Sequence, residues 1–140
     1  MLRIAAGIDL LILRFRGESK IAPQAADPVL VTGAAGAWAF GAYATILPSA
    51  SSPSTGPWVV DQLHVRASSA VDYGEIELAY GDAGSEIVFA RVPTKNAIGD
   101  HPVSSPMFNR QTRISARYAS TSGGADTLNV AISYKQTPLD

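Results

Sequence analysis

Cysteine is absent from the chain, which excludes disulfide frameworks, thiolate nucleophiles and cysteine zinc sites together. Histidine is scarce, at His64 and His101 alone. A histidine-based metal centre would therefore have to recruit distant carboxylates, and neither a metal nor a cofactor is expected. Charge is also short, at 16% of residues where an average soluble domain carries about 25%. The 11 basic residues are balanced by 12 acidic ones, leaving a formal charge of -1. No global field would draw nucleic acid or an anionic membrane to such a surface. No apolar run approaches the roughly 20 residues of a membrane helix, so no membrane partner is expected. The opening MLRIAAGIDLLILRFRG superficially resembles a secretion signal, but Asp9 interrupts its apolar stretch and Arg14 and Arg16 stand where a small-residue cleavage site belongs. A soluble, unprocessed chain is expected. A surface with so few charges is either partly covered by a partner or built from the Ser, Thr, Ala and Gly in which this chain is rich.

What is present is alternation. From Gln111 to Lys135 two runs flank a turn-rich centre: Ile114, Ala116 and Tyr118 share one face of the first, and Leu128, Val130, Ile132 and Tyr134 one face of the second. Side chains on a strand alternate faces with a period of two, so each run has a dry and a wet face. The centre, Ser120 to Asp126, holds Gly123 and Gly124, and the stretch reads as a β-hairpin. Residues 73–92 read as a second hairpin around Gly81–Glu86, with Ile76, Leu78 and Tyr80 inside against Glu75, Glu77 and Ala79 outside. Trp58 to Arg66 forms a strand with Val59, Leu63 and Val65 on one face and Trp58, Val60, Gln62 and His64 on the other. Residues 29–32 are a short β-branched run. Trp38 and Phe40, then Tyr43, Thr45 and Leu47, read as a strand bulged at Gly41. Residues 48–57, with three prolines, are a loop, and residues 93–109 are too broken by proline for a central strand and read as a crossing loop.

Seven to eight short strands without a long helix predict an all-β domain, a jelly-roll-like antiparallel β-sandwich over residues 23–140. Residues 1–22 are an N-terminal segment. Its apolar set, Ile4, Ile8, Leu11, Ile12 and Phe15, follows helical spacing, but Gly7 and Gly17 weaken a helix and an extended segment is favoured. It is either an arm that packs on a neighbouring subunit or the first strand of its own sandwich.

No catalytic residue is assigned. Asp100, His101 and Ser104 lie within one loop, a proximity common by chance, whereas a triad is defined by geometry. His64 reads as packed or hydrogen-bonded. Glu75 and Glu77, two apart on one strand, make a solvated acidic face more readily than an acid–base pair. Arg113 and Arg117 on the outward face of their strand, joined by Arg91, would either bind a partner's carboxylates or pair with Glu75 and Glu77. Trp38 and Trp58 are candidate sugar-stacking rings if exposed; the same residues packed inside would be ordinary core.

Over residues 58–135 the pattern of a tyrosine-led strand (Tyr73 to Tyr80), Gly-x-x-Gly-Ser-Glu at Gly81 to Glu86, Thr-Arg-Ile-Ser-Ala-Arg at Thr112 to Arg117, then a Ser/Gly-rich turn and a last alternating strand resembles β-sandwich virion structural proteins of tailed bacteriophages, a group spanning capsid-decoration, head-fibre and tail-associated domains. The resemblance implies a non-enzymatic role in the virion, reached after synthesis in the host cytoplasm. Its partners would be major capsid proteins or, in the tail or baseplate, tail proteins. It also implies a homo-oligomer, with the trimer as the form such modules adopt; Ile4, Ile8, Leu11, Ile12, Phe15, Arg113 and Arg117 are the candidate assembly residues. A carbohydrate-binding module is the alternative of another class.

Overall fold

The computed structural model describes residues 19–23, 27–69, 73–95 and 98–136. The described residues form two antiparallel sheets packed face to face. The first sheet contains β1 (Ser19–Ala22), β2 (Val29–Thr32), β4 (Trp58–Ser68), β7 (Gly99–Pro102) and β9 (Thr127–Gln136). In it β9 pairs with β4 on one side and with both β2 and β1 on the other; β7 closes the far edge of β4. The second runs in the order β3 (Ala44–Leu47), β8 (Ile114–Ser120), β5 (Tyr73–Tyr80), β6 (Ile87–Lys95). From β2 onward the strands switch sheets at every step except β5 to β6, which is the winding of a jelly roll. The expected fold class is therefore the observed one.

The inward rows follow from alternation. Ile76 and Leu78 of β5, Ile114, Ala116 and Tyr118 of β8, and Leu128, Val130 and Ile132 of β9 are all buried and belong to one core. Residues 73–92 do form a hairpin, with Ile76 opposite Val92 and Tyr80 opposite Ile87. The hairpin expected over residues 111–135 is not formed. β8 and β9 lie in different sheets, and their dry faces meet across the core. A strand with one apolar face can hide it beside a neighbour or opposite one, so the pattern is the same in both cases. The Ser/Gly loop crosses the roughly 10 Å between layers instead of turning within one.

Bulges account for another difference. Along β4, Val60 pairs with Tyr134 and Gln62 with Ser133, so Asp61 is the extra residue. One inserted residue flips the faces of everything beyond it. Trp58 and Val60 therefore point inward together with Leu63 and Val65, each at most 1% exposed, instead of opposing them. Residues 33–43 are not a strand: only Ala44–Leu47 pair, with β8. Gly41 donates its N–H to the Tyr118 carbonyl, and a Cβ there would sit 1.8 Å from the Thr32 carbonyl oxygen; the glycine serves close backbone approach, not a bulge.

The stretch 93–109, expected as a crossing loop throughout, carries the end of β6 and all of β7. Both are edge strands, where Pro93 and Pro102 are tolerated because an edge position can forgo a donor. The crossing proper starts at Val103, and Phe108 on it is buried against Trp58, ring centroids 4.7 Å apart. At the other end of the chain, Ser19–Ala22 pair with residues 132–135 of β9, so the last four residues of the expected N-terminal arm are part of the sandwich. Ile4, Ile8, Leu11, Ile12 and Phe15 lie outside the described residues.

The two tryptophans are opposites, Trp58 at 1% exposure and Trp38 at 55%. Acrylamide should quench the Trp38 emission readily and leave a blue-shifted, protected component from Trp58. A single uniformly quenched component would contradict the packing of Trp58 under Phe108 and Tyr134.

Candidate binding face and end cleft

The outer face of the β3-β8-β5-β6 sheet concentrates the charged side chains that the sequence singled out. Strand register places Arg117 directly opposite Glu77, and Glu77 opposite Arg91. Arg117 Nε donates to Glu77 Oε2 at 2.6 Å, and Arg91 Nη2 lies 3.2 Å from Glu77 Oε1. Glu77 is 1% exposed, not the solvated carboxylate its alternation suggested. Its burial is tolerable because both oxygens are met by guanidinium groups. The 33–43 loop contributes the cover: the Arg117 guanidinium lies 4.6 Å from the Phe40 ring centroid and 4.8 Å from that of Tyr43, a stacked arrangement suited to its planar, weakly hydrated cation. Burial raises the Tyr43 hydroxyl pKa above its ordinary value, against the lowering influence of Arg117.

Arg113 stands one end of β8 away and is equally committed. Its Nε donates to Thr45 Oγ1 at 2.8 Å and its Nη1 to Glu86 Oε1 at 3.0 Å and the Gly81 carbonyl at 3.3 Å. Glu86 also accepts the Gly84 N–H at 2.9 Å, and backbone donors together with Arg113 hold its carboxyl below the usual range. Of the two uses the sequence left open for Arg113 and Arg117, internal pairing is the one observed, although the partner of Arg113 is Glu86 and not Glu75 or Glu77.

Beside Arg113 a cleft of about 780 Å³ opens between the β5–β6 turn and the β7–β8 connection, within the range of small-molecule sites. Tyr80 and Phe108 line it together with Ile87 and Met107, both 54% exposed. Asp82 and Arg110 stand among its polar groups.

On the other sheet, His64 Nδ1 lies 2.6 Å from Asp100 Oδ1. A carboxylate only accepts, so Nδ1 carries the proton, while His64 Nε2 is buried without a hydrogen-bond partner. His64 is thus packed and hydrogen-bonded, as its strand position suggested. The Asp100 carboxyl is held below its usual pKa first by this hydrogen bond. The grouping of Asp100 with His101 and Ser104 is not what the register assembles, since β4 brings His64 to Asp100.

At the far end, Asp126 closes the β8–β9 loop. Its carboxylate accepts from Ser120 Oγ at 2.7 Å, from Ser122 Oγ, and from Ser69 Oγ at 3.3 Å. The Ser122 and Ser120 hydroxyls depress its pKa. A depressed folded-state pKa stabilises fully above the ordinary value near about 4 and is lost as the pH falls through the folded value. Urea midpoints of the native chain and Asp126→Asn should therefore differ at neutral pH and converge in acid; a constant gap would reject this role.

Of the candidate stacking rings, Trp58 belongs to the core and Trp38 stands exposed on the β2–β3 loop. The features missed from sequence, the burial of Glu77 and the His64–Asp100 pair, depend on which strands adjoin, a signal that single-strand alternation does not carry.

Comparison with protein-family models, with curated proteins and with solved structures finds no significant match. The strand order alone defines the class, a jelly-roll β-sandwich.

Proposed function

We propose that the chain is a non-enzymatic structural protein of a virus particle, a jelly-roll module that decorates or joins the head of a tailed bacteriophage through protein–protein contacts. The observation that carries this reading is the strand order, β2-β9-β4-β7 against β3-β8-β5-β6, an architecture used by capsid domains; the motif resemblance over residues 58–135 agrees with it. Apolar groups are also available for assembly. Ile21 and Leu30, opposite Ser133 and Asn129 of β9, are 41% and 56% exposed, and burying what remains exposed of each is worth on the order of 1 kcal/mol. Major capsid or tail proteins and further copies of the chain, as a trimer, are the partners in this reading, with the tail or baseplate as the other position on the particle.

Purified mature particles, analysed by mass spectrometry, should contain the chain in a fixed ratio to the major structural proteins. Its absence from particles whose genome encodes it would end the proposal. Light scattering on the purified chain reads the oligomer separately.

A further inference from the structure

We propose that Trp38 and Tyr73 form a saccharide-binding platform at the end of the sandwich where β8 runs into β9. One peptide unit ties them together. The Trp38 N–H donates to the Ser120 carbonyl at 2.7 Å, and the Thr121 N–H donates to the Tyr73 carbonyl at 2.9 Å. That carbonyl and that N–H belong to the same peptide group, so the two residues' backbones lie within roughly 8 Å of each other on either side of β8.

Both rings are offered to solvent, Trp38 at 55% and Tyr73 at 54% exposure. Trp38 holds φ at 57°, a left-handed conformation rare for a bulky side chain. The turn is clamped there by Ala39 N–H to the Gly36 carbonyl at 3.1 Å and Ala34 N–H to the Ala39 carbonyl at 3.2 Å. Gly123 seals the back of the turn: its φ is 59°, and a Cβ on it would lie 2.6 Å from the Ala37 nitrogen. A backbone held in this way adds little ordering cost of its own on binding.

The surroundings select the ligand class. On the adjoining loop the Ser122 hydroxyl donates to the Asp126 carboxylate, and the Lys95 ammonium lies over one face of the Tyr73 ring, 5.0 Å from its centroid. Two exposed aromatic side chains near a hydroxyl, a carboxylate and a cation match a pyranose, which has an apolar C–H face and a rim of hydroxyls. An extended peptide that adds to a strand would take the open edge of β6 through backbone hydrogen bonds, not the two rings, since β8 is paired with both β3 and β5. The platform lies at the opposite end from Arg113 and the cleft, and the proposal does not depend on the virion reading.

The test applies the intact chain to a microarray of bacterial and plant glycans, followed by titration calorimetry and tryptophan fluorescence with the soluble hexasaccharides of cellulose, chitin and polygalacturonate. Saturable binding to a glycan with a change in Trp38 emission is expected. Trp38→Ala and Tyr73→Ala should each weaken it by about tenfold or more, Trp38→Phe should retain most of it, and the unfolding midpoint of Trp38→Ala should stay near native. The proposal is overturned if no glycan binds at millimolar concentration or if Trp38→Ala binds like the native chain. A fall in oligomeric mass of Trp38→Ala by light scattering, without a glycan effect, would also overturn it by assigning the platform to a protein contact.

Discussion

Val130→Asp should leave the chain unfolded in the absence of denaturant, with a far-ultraviolet circular dichroism spectrum lacking the sheet signal and no cooperative urea transition. Val130 is fully buried on β9, in the same core as Leu63, Val65 and Ile132. An unpaired carboxylate introduced there has no cation in the inward row to meet it. The expected loss is about 5 kcal/mol or more for an uncompensated buried charge, enough to exhaust a stability in the lower part of the roughly 5–15 kcal/mol range of such domains. Val130→Thr separates charge from polarity: with nearly the same shape and one buried hydroxyl, it should cost about 1–3 kcal/mol and still fold. A Val130→Asp chain with a native urea midpoint would show that β9 does not face the core.

Removing Arg117 should be the most damaging change on the outer face. Arg117→Met keeps an apolar stem beneath the Phe40 and Tyr43 rings but withdraws the closest cation from Glu77, which is 1% exposed. Breaking a buried pair from one side costs about 3–5 kcal/mol. Here Arg91 remains at 3.2 Å and the Arg117 side chain is itself 32% exposed, so a loss of about 2–3 kcal/mol is expected. Arg91→Met, whose side chain is 67% exposed, should cost no more than about 1 kcal/mol. The double variant Glu77→Met, Arg117→Met removes the stranded charge along with its partner and should recover most of the stability. Urea midpoints read all four chains; a neutral Arg117→Met, or a double variant worse than the single one, would reject the account.

Legibility from sequence stopped where neighbours had to be known. The inward sets of β5, β8 and β9 were visible because each strand lies in register with its own alternation. β4 misled because Asp61 is inserted into the strand, and nothing in its chemistry marks it as the extra residue. Its carboxylate instead accepts from Ser133 Oγ at 3.0 Å across the bulge. Glu77 was placed in water because alternation says which face a residue takes but not what lies over that face, and the Phe40–Tyr43 loop does. Ala131 and Ser133, expected on the wet face, are buried: they are small side chains on a strand flanked on both sides. The β8–β9 crossing was read as a turn because a Gly-rich loop between two amphipathic runs looks alike whether it returns along one sheet or bridges two.

The position of β9 has a consequence for how the chain is made. β1 and β2 pair in their sheet with β9 alone, and β4 with β9 and the short edge strand β7, so during translation β1 and β2 leave the ribosome with no partner in their sheet, and β4 with none but β7, until residues 127–136 have emerged. The β5–β6 hairpin can close as soon as it is synthesised, but the sheet around β9 assembles last and from its C-terminal member inward. Such long-range closure is slow and leaves strand edges open to other nascent chains. The yield of folded protein should therefore be more sensitive to chaperone supply and growth temperature than the stability of the finished sandwich would suggest.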